Sequence, residues 1–519
     1  MFRYALKPKT SRGISSLSFN NDTIYALSSA QGRAGIAVIR ISGPGCKDVY
    51  NSLCPSAPFP KPRYAAVRTL YQPFSTNIVE ASALVLYFPS PRTVTGEDIL
   101  ELHVHGGTAT VKAVLSSISQ CASCSSRIRY AEPGEFTKRA FFNDRLDLAQ
   151  VEALSDTLSA ETEQQRRAAV RGASGELGRT YEGWRTRLLL ARAEIEALID
   201  FSEDQHFDES PTELLANVSN IVDGILHSIG LHEMASQRTE LLRNGIRIAL
   251  LGPPNAGKSS LMNLIVGREA SIVSSEAGTT RDVVEASLDI RGFLCSFADT
   301  AGFRTEGEVG KIEEEGIRRA RKKAEEADVV IALASVEKTE DGSKRIVFDE
   351  ETLRLAKMAR QSLVVVNKKD AVADHTTLKS LLAEFKAHAS LELEPLTISC
   401  REAVSALVRD TEKDPGGIHG LISTLAESFT SLTALPEDMQ DLLGVTERQR
   451  QLLAECRGCL EDFVAEAKGS ADRGEADVVM AAEYLRAAAN CLARITGRGE
   501  AGDVEEVLGV IFEKFCVGK

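Results

Sequence analysis

The sequence predicts a multidomain chain in which one α/β domain is inserted into a helical bundle and a second α/β domain precedes both. Near the middle of the 519 residues, a glycine-rich loop follows an apolar run and leads into a helix-like run. Amphipathic stretches without proline flank this central region, and short apolar runs bounded by glycine and proline occupy the first part. Because helices lie on both sides of the central domain, its two ends are expected to lie close together.

We predict the following boundaries: a leader at 1–21, a first domain at 22–143, helical segments at 144–242 and 433–519, and the central domain at 243–432. The net charge of −13 argues against a broad surface that coats nucleic acid, although a local basic patch could still bind RNA. The chain has no continuous run of about 18 apolar residues, so no membrane span is predicted.

The leader has the composition of a mitochondrial transit peptide. It contains Arg3, Lys7, Lys9 and Arg12 with several serines, and no acid precedes Asp22. It lacks the continuous apolar core of a secretory signal. The alternative is a disordered basic tail, and in either case we exclude it from the fold.

Ten cysteines in a chain of this length do not form a disulfide scaffold. The pairs Cys121/Cys124 and Cys456/Cys459 have C-x-x-C spacing, which is compatible with zinc or with reduced thiols. The pairs lie far apart in the chain and lack glycine-bearing knuckles, so reduced thiols are favoured.

The first domain is predicted to be mixed α/β. Apolar runs at Ile36–Ile41, Leu84–Phe88 and Ile99–Val104 indicate strands, and a helix is expected over Val111–Ile118. Two charges, Arg40 and Glu101, lie inside strand-like runs. Each needs a partner or a ligand, unless its strand position faces solvent.

His103 and His105 form an H-x-H pair on one strand face. Such a pair could ligate a metal. An H-x-H pair without a nearby carboxylate is more often structural, and that role is favoured.

The helical segments follow from apolar residues at three–four spacing. Stretches 147–200, 447–467 and 475–496 have this pattern, and a last helix is expected near the C-terminus. The apolar stripes comprise Val151, Leu154, Leu158, Leu188, Ala191, Ile195, Leu198, Met480, Tyr484, Leu485, Leu492, Ile495, Leu508, Ile511, Phe512 and Phe515. These stripes are interpreted as core.

The central loop is Gly252–Ser260, between the apolar run Ile246–Leu251 and the run Leu261–Val266. This strand–loop–helix context is the one a P-loop requires, because glycines let backbone N–H groups converge on phosphate at a helix N-terminus. Lys258 would then reach the β- and γ-phosphates, and the Ser259 hydroxyl would ligate Mg²⁺.

Four further motifs follow in order, and together with the P-loop they predict a Ras-like P-loop GTPase domain. Thr280 can give Mg²⁺ a second hydroxyl, and Asp299-Thr-Ala-Gly302 places an acid at a strand end. Asp370 can accept hydrogen bonds from both guanine N–H donors, a pair that adenine lacks. The predicted nucleotide contacts are Asn255, Ala256, Gly257, Lys258, Ser259, Ser260, Ser274, Ser275, Glu276, Ala277, Gly278, Thr279, Thr280, Asp299, Thr300, Ala301, Gly302, Asn367, Lys368, Asp370, Ser399, Cys400 and Arg401.

Two departures from a Ras-like pattern bear on the chemistry. Phe303 follows the glycine at 302, so the glutamine that orients water in Ras-like enzymes is absent. Asn255 adds an oxygen ligand beside the phosphates, where a monovalent cation could act in place of an arginine finger. The alternative is that Asn255 only shapes the loop.

The chain resembles the MnmE family of tRNA-modification GTPases over nearly all its length, and the leader suggests a mitochondrial member. The motifs that carry the resemblance are Gly35-Ile-Ala-Val-Ile-Arg40-Ile-Ser-Gly43, Thr95-Gly-Glu-Asp98, His105-Gly-Gly107, Pro133-Gly-Glu-Phe-Thr137, Arg145-Leu-Asp-Leu148, Pro254-Asn-Ala-Gly-Lys-Ser259, Gly278-Thr-Thr-Arg-Asp282, Ile495-Thr-Gly497 and Phe515-Cys-Val-Gly-Lys519.

The resemblance implies a dimerising, folate-binding N-terminal domain, a helical domain and an inserted G domain. It also implies a complex with an FAD protein of the MnmG type, which together modify C5 of the wobble uridine of certain tRNAs with a tetrahydrofolate carbon. It leaves open whether glycine or taurine supplies the rest of the group.

The family's site residues transfer by matched position. The implied potassium ligands are Asn255, Ser274, Glu276 and Thr279; the Mg²⁺ ligands are Ser259 and Thr280; and the formyl- or methylene-tetrahydrofolate site comprises Arg40, Glu101, Arg145 and Lys519. Glu313 falls on the catalytic glutamate that orients water, and Cys516 and Lys258 complete the catalytic set. Potassium-dependent pairing of G domains would replace the arginine finger.

Some positions depart from the bacterial pattern. Arg145 replaces a lysine, Cys400-Arg401 replaces an Ala-Lys-like pair, and Glu313 opens a run of three glutamates after a longer loop. Two alternative functions are a ribosome-assembly GTPase of the Era/EngA type and a dimeric scaffold that GTP only switches. The absence of a basic KH-like module after the G domain argues against the first.

Overall fold

The structure is a computed structural model. It describes residues 22–121, 127–200, 211–268, 270–272, 287–297, 321–339, 342–391, 394–409, 414, 416–468, 477–498 and 518. The described residues cluster into two compact units. The first unit draws on Met1–Ser155, Ala173–Ile229 and Gln451–Lys519, and the second on Asp156–Gly172 and Gly230–Arg450.

A six-stranded sheet forms the first part of the first unit, in the order β3-β4-β5-β2-β1-β6. Its strands are β1 (Thr23–Leu27), β2 (Ile36–Ser42), β3 (Ala66–Tyr71), β4 (Ile78–Phe88), β5 (Ile99–His105) and β6 (Ile128–Tyr130). The helices are α1 (Cys46–Leu53), α2 (Thr108–Ser119) and α3 (Glu135–Phe142). Neighbouring strands are antiparallel except for β1 and β6. The predicted strands and helix of this region are confirmed.

Alternation along β2 sorts its side chains between the two faces of this sheet, because successive side chains of a strand point to opposite sides. Ile39 and Ile41 are fully buried in the core, whereas Arg40 between them lies on the other face. The register pairs Arg40 with Glu101 directly across β2 and β5. The two charges predicted inside strands are therefore cross-strand neighbours.

The remaining described elements of the first unit are helices, and the helices of this part of the chain extend into the second unit. They are α4 (Leu148–Ser159), α5 (Glu163–Gly172), α6 (Glu176–Asp200), α7 (Pro211–Asn244), α13 (Glu447–Ala467) and α14 (Val478–Thr496). Helices α4, α7 and α13 contain residues of both units. Helices α6 and α14 pack together through the predicted apolar stripes. Leu188, Ile195, Leu485 and Leu492 are fully buried. The predicted place of Met480 in this stripe is wrong, because that side chain is 42% exposed in the first turn of α14. The predicted core position of Leu158 is also wrong, because that side chain is 44% exposed at the end of α4.

One helix segment of the described chain, Leu214–Asn244, is long and apolar enough to cross a membrane by length and composition. Core helices of soluble proteins meet the same criterion. The fully buried residues Val218, Val222, Ile225 and Ile229 recur at three–four spacing along it, as they do in a helix that packs one face against a core.

The second unit is built on an eight-stranded sheet in the order β14-β13-β11-β7-β10-β9-β8, with β12 paired to β11. Its strands are β7 (Ile246–Leu251), β8 (Ala270–Ile272), β9 (Ser287–Ile290), β10 (Phe293–Phe297), β11 (Val329–Lys338), β12 (Lys344–Val347), β13 (Gln361–Asn367) and β14 (Leu396–Thr397). The helices are α8 (Lys258–Arg268), α9 (Glu350–Met358), α10 (His375–Ala389), α11 (Cys400–Arg409) and α12 (Ile418–Thr433). Short 3-10 helices occupy Lys369–Ala371 and Glu437–Gly444.

The centre of this sheet is parallel, with β14, β13, β11, β7 and β10 running in the same direction. Both faces are buried: Ile248 and Leu250 of β7 belong to one apolar cluster, and Ala249 and Leu251 belong to the other. A continuous apolar strand is what burial on both faces of a parallel sheet requires. The predicted α/β nature of the central domain is confirmed.

A buried ionic network joins the sheet of the first unit to α3. The guanidinium of Arg139 is fully buried and donates to Glu97 at 3.0 Å, to Glu135 at 3.0 Å and to the Asp22 carbonyl at 2.9 Å. Arg129 also donates to Glu135, at 2.9 Å. Removing one member of such a network leaves the remaining charges buried without a partner.

Arg139→Ala is therefore expected to lower the free energy of unfolding of the first unit by about 3–5 kcal/mol. Urea unfolding followed by the fluorescence of Trp184, the single tryptophan and a buried residue of the same unit, measures this change. Arg486→Ala is the matched control, since its pair with Glu483 is about half exposed on both sides, and no measurable loss is expected. Equal stability of the two variants would contradict the assignment.

Candidate nucleotide-binding site

The predicted site residues lie where parallel strands of the second unit end. The P-loop follows β7, Asn367 ends β13, and Ser399 comes two residues after β14. Parallel strands present their carboxyl ends at one edge of a sheet, which is where open α/β folds bind ligands. The structure thus brings together residues that are more than 140 positions apart in the sequence.

Asn367 is the residue that ties the loops of this edge together. Its side chain is buried, and its Nδ2 donates to the Ala256 carbonyl of the P-loop at 2.8 Å. Its Oδ1 accepts from the Cys400 backbone N–H at 3.2 Å. The sequence predicted Asn367 as a nucleotide contact. It did not indicate that Asn367 also links two other loops by hydrogen bonds, because those loops come together only in the folded structure.

Gly257 lies against the side chain of Asn367 and has a φ of 101°. A Cβ at this position would collide with Nδ2 of Asn367. The position therefore requires glycine for two reasons, the left-handed backbone and the close approach of the asparagine.

Lys258 begins α8, and its ammonium is turned onto the P-loop itself. Nζ donates to the carbonyls of Gly252 at 2.8 Å and Pro253 at 2.9 Å. Burial lowers the pKa of Lys258 below its ordinary value. A partly desolvated ammonium at a helix N-terminus is suited to bind phosphate. The two carbonyls are neutral acceptors, whereas a phosphate would give the ammonium an anionic partner.

The hydroxyl of Ser259 lies in the first turn of α8, on an exposed residue. Asn255, also exposed, has a left-handed backbone with a φ of 61°. Both side chains offer oxygen, which is the ligand type that Mg²⁺ and monovalent cations prefer. These two side chains therefore have the right chemical type for the predicted metals, and the other predicted ligands lie outside the described residues.

Asp370 is oriented by Ser399, whose Oγ donates to Oδ1 of the carboxylate at 2.6 Å. The same Oγ accepts from the Glu402 N–H at 3.0 Å, near the start of α11. Ser399 therefore holds the carboxylate predicted to read guanine, a connection that the sequence motif did not reveal.

Two further predicted nucleotide contacts, Lys368 and Cys400, are described in this region. Lys368, in a left-handed conformation, is paired with Glu337 at 3.2 Å. Burial raises the pKa of Cys400 to about 11, so it is a neutral thiol.

Many predicted site residues lie outside the described part of the chain. They are Ser274, Ser275, Glu276, Ala277, Gly278, Thr279, Thr280, Asp299, Thr300, Ala301, Gly302, Glu313, Cys516 and Lys519. The leader at 1–21 and the predicted last helix also lie outside it.

In the first unit, the charges predicted to need partners have them. Arg40 donates to Glu101 at 3.0 Å. The premise that the histidines have no nearby carboxylate is wrong, because His103 lies 3.4 Å from the same Glu101, which precedes it by two residues on β5. His105 contacts Glu80 at 2.9 Å, a carboxylate that sequence proximity did not predict. Arg145 donates to the carbonyl of Thr93 at 3.0 Å, and within the described residues no hydrogen bond is seen from it to the Arg40–Glu101 pair.

Metal binding by the histidines or cysteines of the described ranges has no structural support. Those residues contain no group of three histidine, cysteine or acidic side chains placed to hold a metal ion. Cys121, Cys456 and Cys459 are free thiols.

The next-to-last residue of the chain, Gly518, lies against the first strand of the same unit. Its carbonyl accepts from Ser28 Oγ at 2.8 Å, and its φ is 99°. A Cβ on this residue would collide with the Leu27 carbonyl, so the close approach requires glycine. Gly518 is thereby held beside the sheet that carries Arg40 and Glu101.

The fold and the loops at the carboxyl edge of the second unit define a P-loop GTPase. The sequence also matches two family profiles: the N-terminal domain of the GTP-binding protein TrmE over residues 23–145, and the MnmE helical domain over residues 148–516. The chain belongs to the MnmE (TrmE) family of tRNA modification GTPases, and it is a GTP hydrolase of that family.

Curated relatives match along almost the whole chain. The "5-taurinomethyluridine-[tRNA] synthase subunit GTPB3, mitochondrial" of Homo sapiens is 39% identical, covering 96% of this chain and 93% of its own. The "tRNA modification GTPase MnmE" of Parvibaculum lavamentivorans is 40% identical, covering 96% of this chain and 100% of its own. The "tRNA modification GTPase mss1, mitochondrial" of Schizosaccharomyces pombe is 38% identical, covering 96% of this chain and 95% of its own.

Among solved structures, Aquifex aeolicus Era bound to GDP and an aluminium fluoride is 25% identical over 37% of this chain and 57% of that one. The TM-score for this pair is 0.24.

Gly257→Ala should weaken GTP binding by about 10-fold to 100-fold, since left-handed strain in a non-glycine residue costs about 1–3 kcal/mol and here adds to a collision with Asn367. Titration with a fluorescent GTP analogue measures the affinity. Gly420→Ala in α12 is the control, because a Cβ there meets nothing within 4 Å. The control should bind normally and gain about 0.5–1 kcal/mol of stability. Wild-type affinity in Gly257→Ala would show that the loop does not depend on this approach.

Proposed function

We propose that the protein is a potassium-activated GTPase that modifies C5 of the wobble uridine, position 34, of mitochondrial tRNAs together with an FAD-dependent partner of the MnmG type. The product would carry a carboxymethylaminomethyl or taurinomethyl group, with one carbon from 5-formyl- or methylene-tetrahydrofolate. The observation that carries this proposal is the match over 96% of the chain to relatives named for tRNA modification, one of them for 5-taurinomethyluridine. That match also argues against the ribosome-assembly alternative.

The described geometry supports the GTPase part. Lys258 would move from the carbonyls of its own loop to the phosphates, and Asp370, held by Ser399, would accept the guanine N–H donors. Ser259 and Thr280 would hold Mg²⁺, and Asn255 with Ser274, Glu276 and Thr279 would hold K⁺. When bound, these ions neutralise the charge that develops on the phosphates. Glu313 would orient the attacking water.

The folate part rests on the first unit. Arg40 and Glu101 offer a cation and an anion side by side, each partly exposed, and Arg145 lies after α3. Gly518 supports a role for the neighbouring Cys516 and Lys519 at this domain, because it is itself bound to Ser28 there. Such a set of charges is suited to a ligand with a glutamate tail and a polar ring.

The domain arrangement is also part of the proposal. In the sequence, residues of the first unit bracket Gly230–Arg450 of the second, as expected for a G domain inserted into a helical domain. We retain the boundaries 22–143, 144–242, 243–432 and 433–519 as predictions. Dimerisation through the N-terminal domain, with transient pairing of G domains, completes the scheme. The basic leader and the relatives named mitochondrial support import into the mitochondrial matrix.

Mass spectrometry of the wobble nucleosides of mitochondrial tRNA tests the function directly. Cells that lack this chain should lose the C5-modified uridine, and the wild type should restore it. Glu313→Ala should not restore it, because the variant would leave the chain intact and remove only the water-orienting carboxylate. Restoration by Glu313→Ala would favour the scaffold alternative, and intact modification in the deletion with defective ribosomes would favour the ribosome-assembly alternative.

Rates of GTP hydrolysis in KCl and NaCl test the role of Asn255. The wild type should be faster in KCl. Asn255→Gly keeps the left-handed backbone but removes the amide oxygen, so the advantage of KCl should disappear. Asn255→Asp keeps an oxygen and should retain part of that advantage. A full potassium response in Asn255→Gly would mean that the side chain only shapes the loop.

A further inference from the structure

A charged cavity of about 360 Å³ lies along the first half of α6 in the first unit. Its wall contains two acids, Asp147 and Glu182, and two arginines, Arg179 and Arg498. Sites for small molecules have volumes of about 300–1,000 Å³, so this cavity suits a compact ligand. None of these four residues belongs to the nucleotide site or to the folate set.

One carboxylate oxygen of Glu182 lacks a hydrogen-bond donor among the described residues. Its Oε1 accepts from Arg185 at 3.0 Å and forms an ion pair with Arg498 at 3.1 Å. Its Oε2 is buried, and no described group donates a hydrogen bond to it. A buried carboxylate oxygen without a donor is unfavourable, so this atom is suited to receive a hydrogen bond from a bound cation.

Asp147 adds a second carboxylate to the same wall. Its Oδ1 accepts from the Gln150 N–H at 2.8 Å and caps the first turn of α4. Burial raises the pKa of Asp147, and the nearby Arg498 and Arg179 offset this only in part. The carboxylate is thus poorly solvated and would be stabilised by a further positive group.

The cavity wall contains two glycines, and tight packing explains only one of them. A Cβ on Gly178 would collide with Oδ2 of Asp147, so packing explains that residue. A Cβ on Gly183 would meet nothing within 4 Å, although glycine weakens a helix interior. Packing does not require Gly183, and a larger side chain at this position would occupy the cavity.

We propose that this cavity binds a small zwitterion with an ammonium at one end and a carboxylate or sulfonate at the other. The ammonium would donate to Glu182 and Asp147, and the acid group would accept from Arg179 and Arg498. This ligand is the amino-acid-type donor of the uridine modification, and the inference therefore rests on the proposed function. Glycine and taurine share this chemistry and differ in the acid group.

Equilibrium dialysis of the purified full-length chain with radiolabelled taurine, and separately with radiolabelled glycine, tests binding. One of the two should bind saturably at millimolar concentration or below. Isethionate, which lacks the ammonium, and ethylamine, which lacks the acid, should compete poorly because each satisfies only half of the charges. Failure of both zwitterions to bind the wild type would overturn the proposal.

Variants connect the binding to this cavity. Gly183→Leu should abolish binding without lowering the midpoint of thermal unfolding, because its side chain enters open space. Gly224→Leu is the matched control, a helical glycine of α7 with nothing within 4 Å of a Cβ, and it should bind normally. Glu182→Gln should weaken binding by about 10-fold to 100-fold, as expected for the loss of a charged hydrogen bond. Unchanged binding in Gly183→Leu would place the ligand elsewhere and overturn the proposal.

The same variants separate this inference from the function on which it rests. If Gly183→Leu neither binds the zwitterion nor restores modified uridine in cells, both stand. If the wild type does not bind a zwitterion but restores the modified uridine, this inference fails and the proposed function stands. If the wild type binds taurine but the deletion retains modified uridine, the proposed function fails, and with it the assignment of the ligand as a donor.

Discussion

The side-chain amide of Asn367 is the interaction on which the nucleotide site depends. It spans 111 positions of sequence to reach the Ala256 carbonyl and, with its other atom, holds the backbone of Cys400. A P-loop needs only glycines and a helix N-terminus to form, but it needs a fixed relation to the base-reading loops to select one nucleotide. Because a primary amide both donates and accepts, one buried residue satisfies two loops at once.

The sequence predicted the elements of this fold well, because their signals are local. The apolar run Ile246–Leu251 before the glycine-rich loop indicated β7, and three–four spacing indicated α6 and α14. The loop of Lys258 could be recognised for the same reason, since its motif is defined within a few residues, and the motif of Asp370, which is predicted to read guanine, is equally local. Met480 was misplaced because an apolar residue in the first turn of a helix can still project beyond its partners.

What the sequence could not predict are contacts that depend on tertiary register. Nothing near Arg40 in the chain indicates that Glu101 is its direct partner across two strands, or that Glu80 reaches His105. The Arg139 network joins α3 to residues 42 and 117 positions earlier. Ser399 likewise orients Asp370 only because two parallel strands end side by side. Each of these contacts needs the assembled sheet before its partners can be recognised.

The contact between Gly518 and Ser28 joins the two ends of the described chain. A ribosome adds Ser28 490 residues before it adds Gly518. A nascent chain that has not yet reached Gly518 therefore lacks this contact, however completely its other elements have folded.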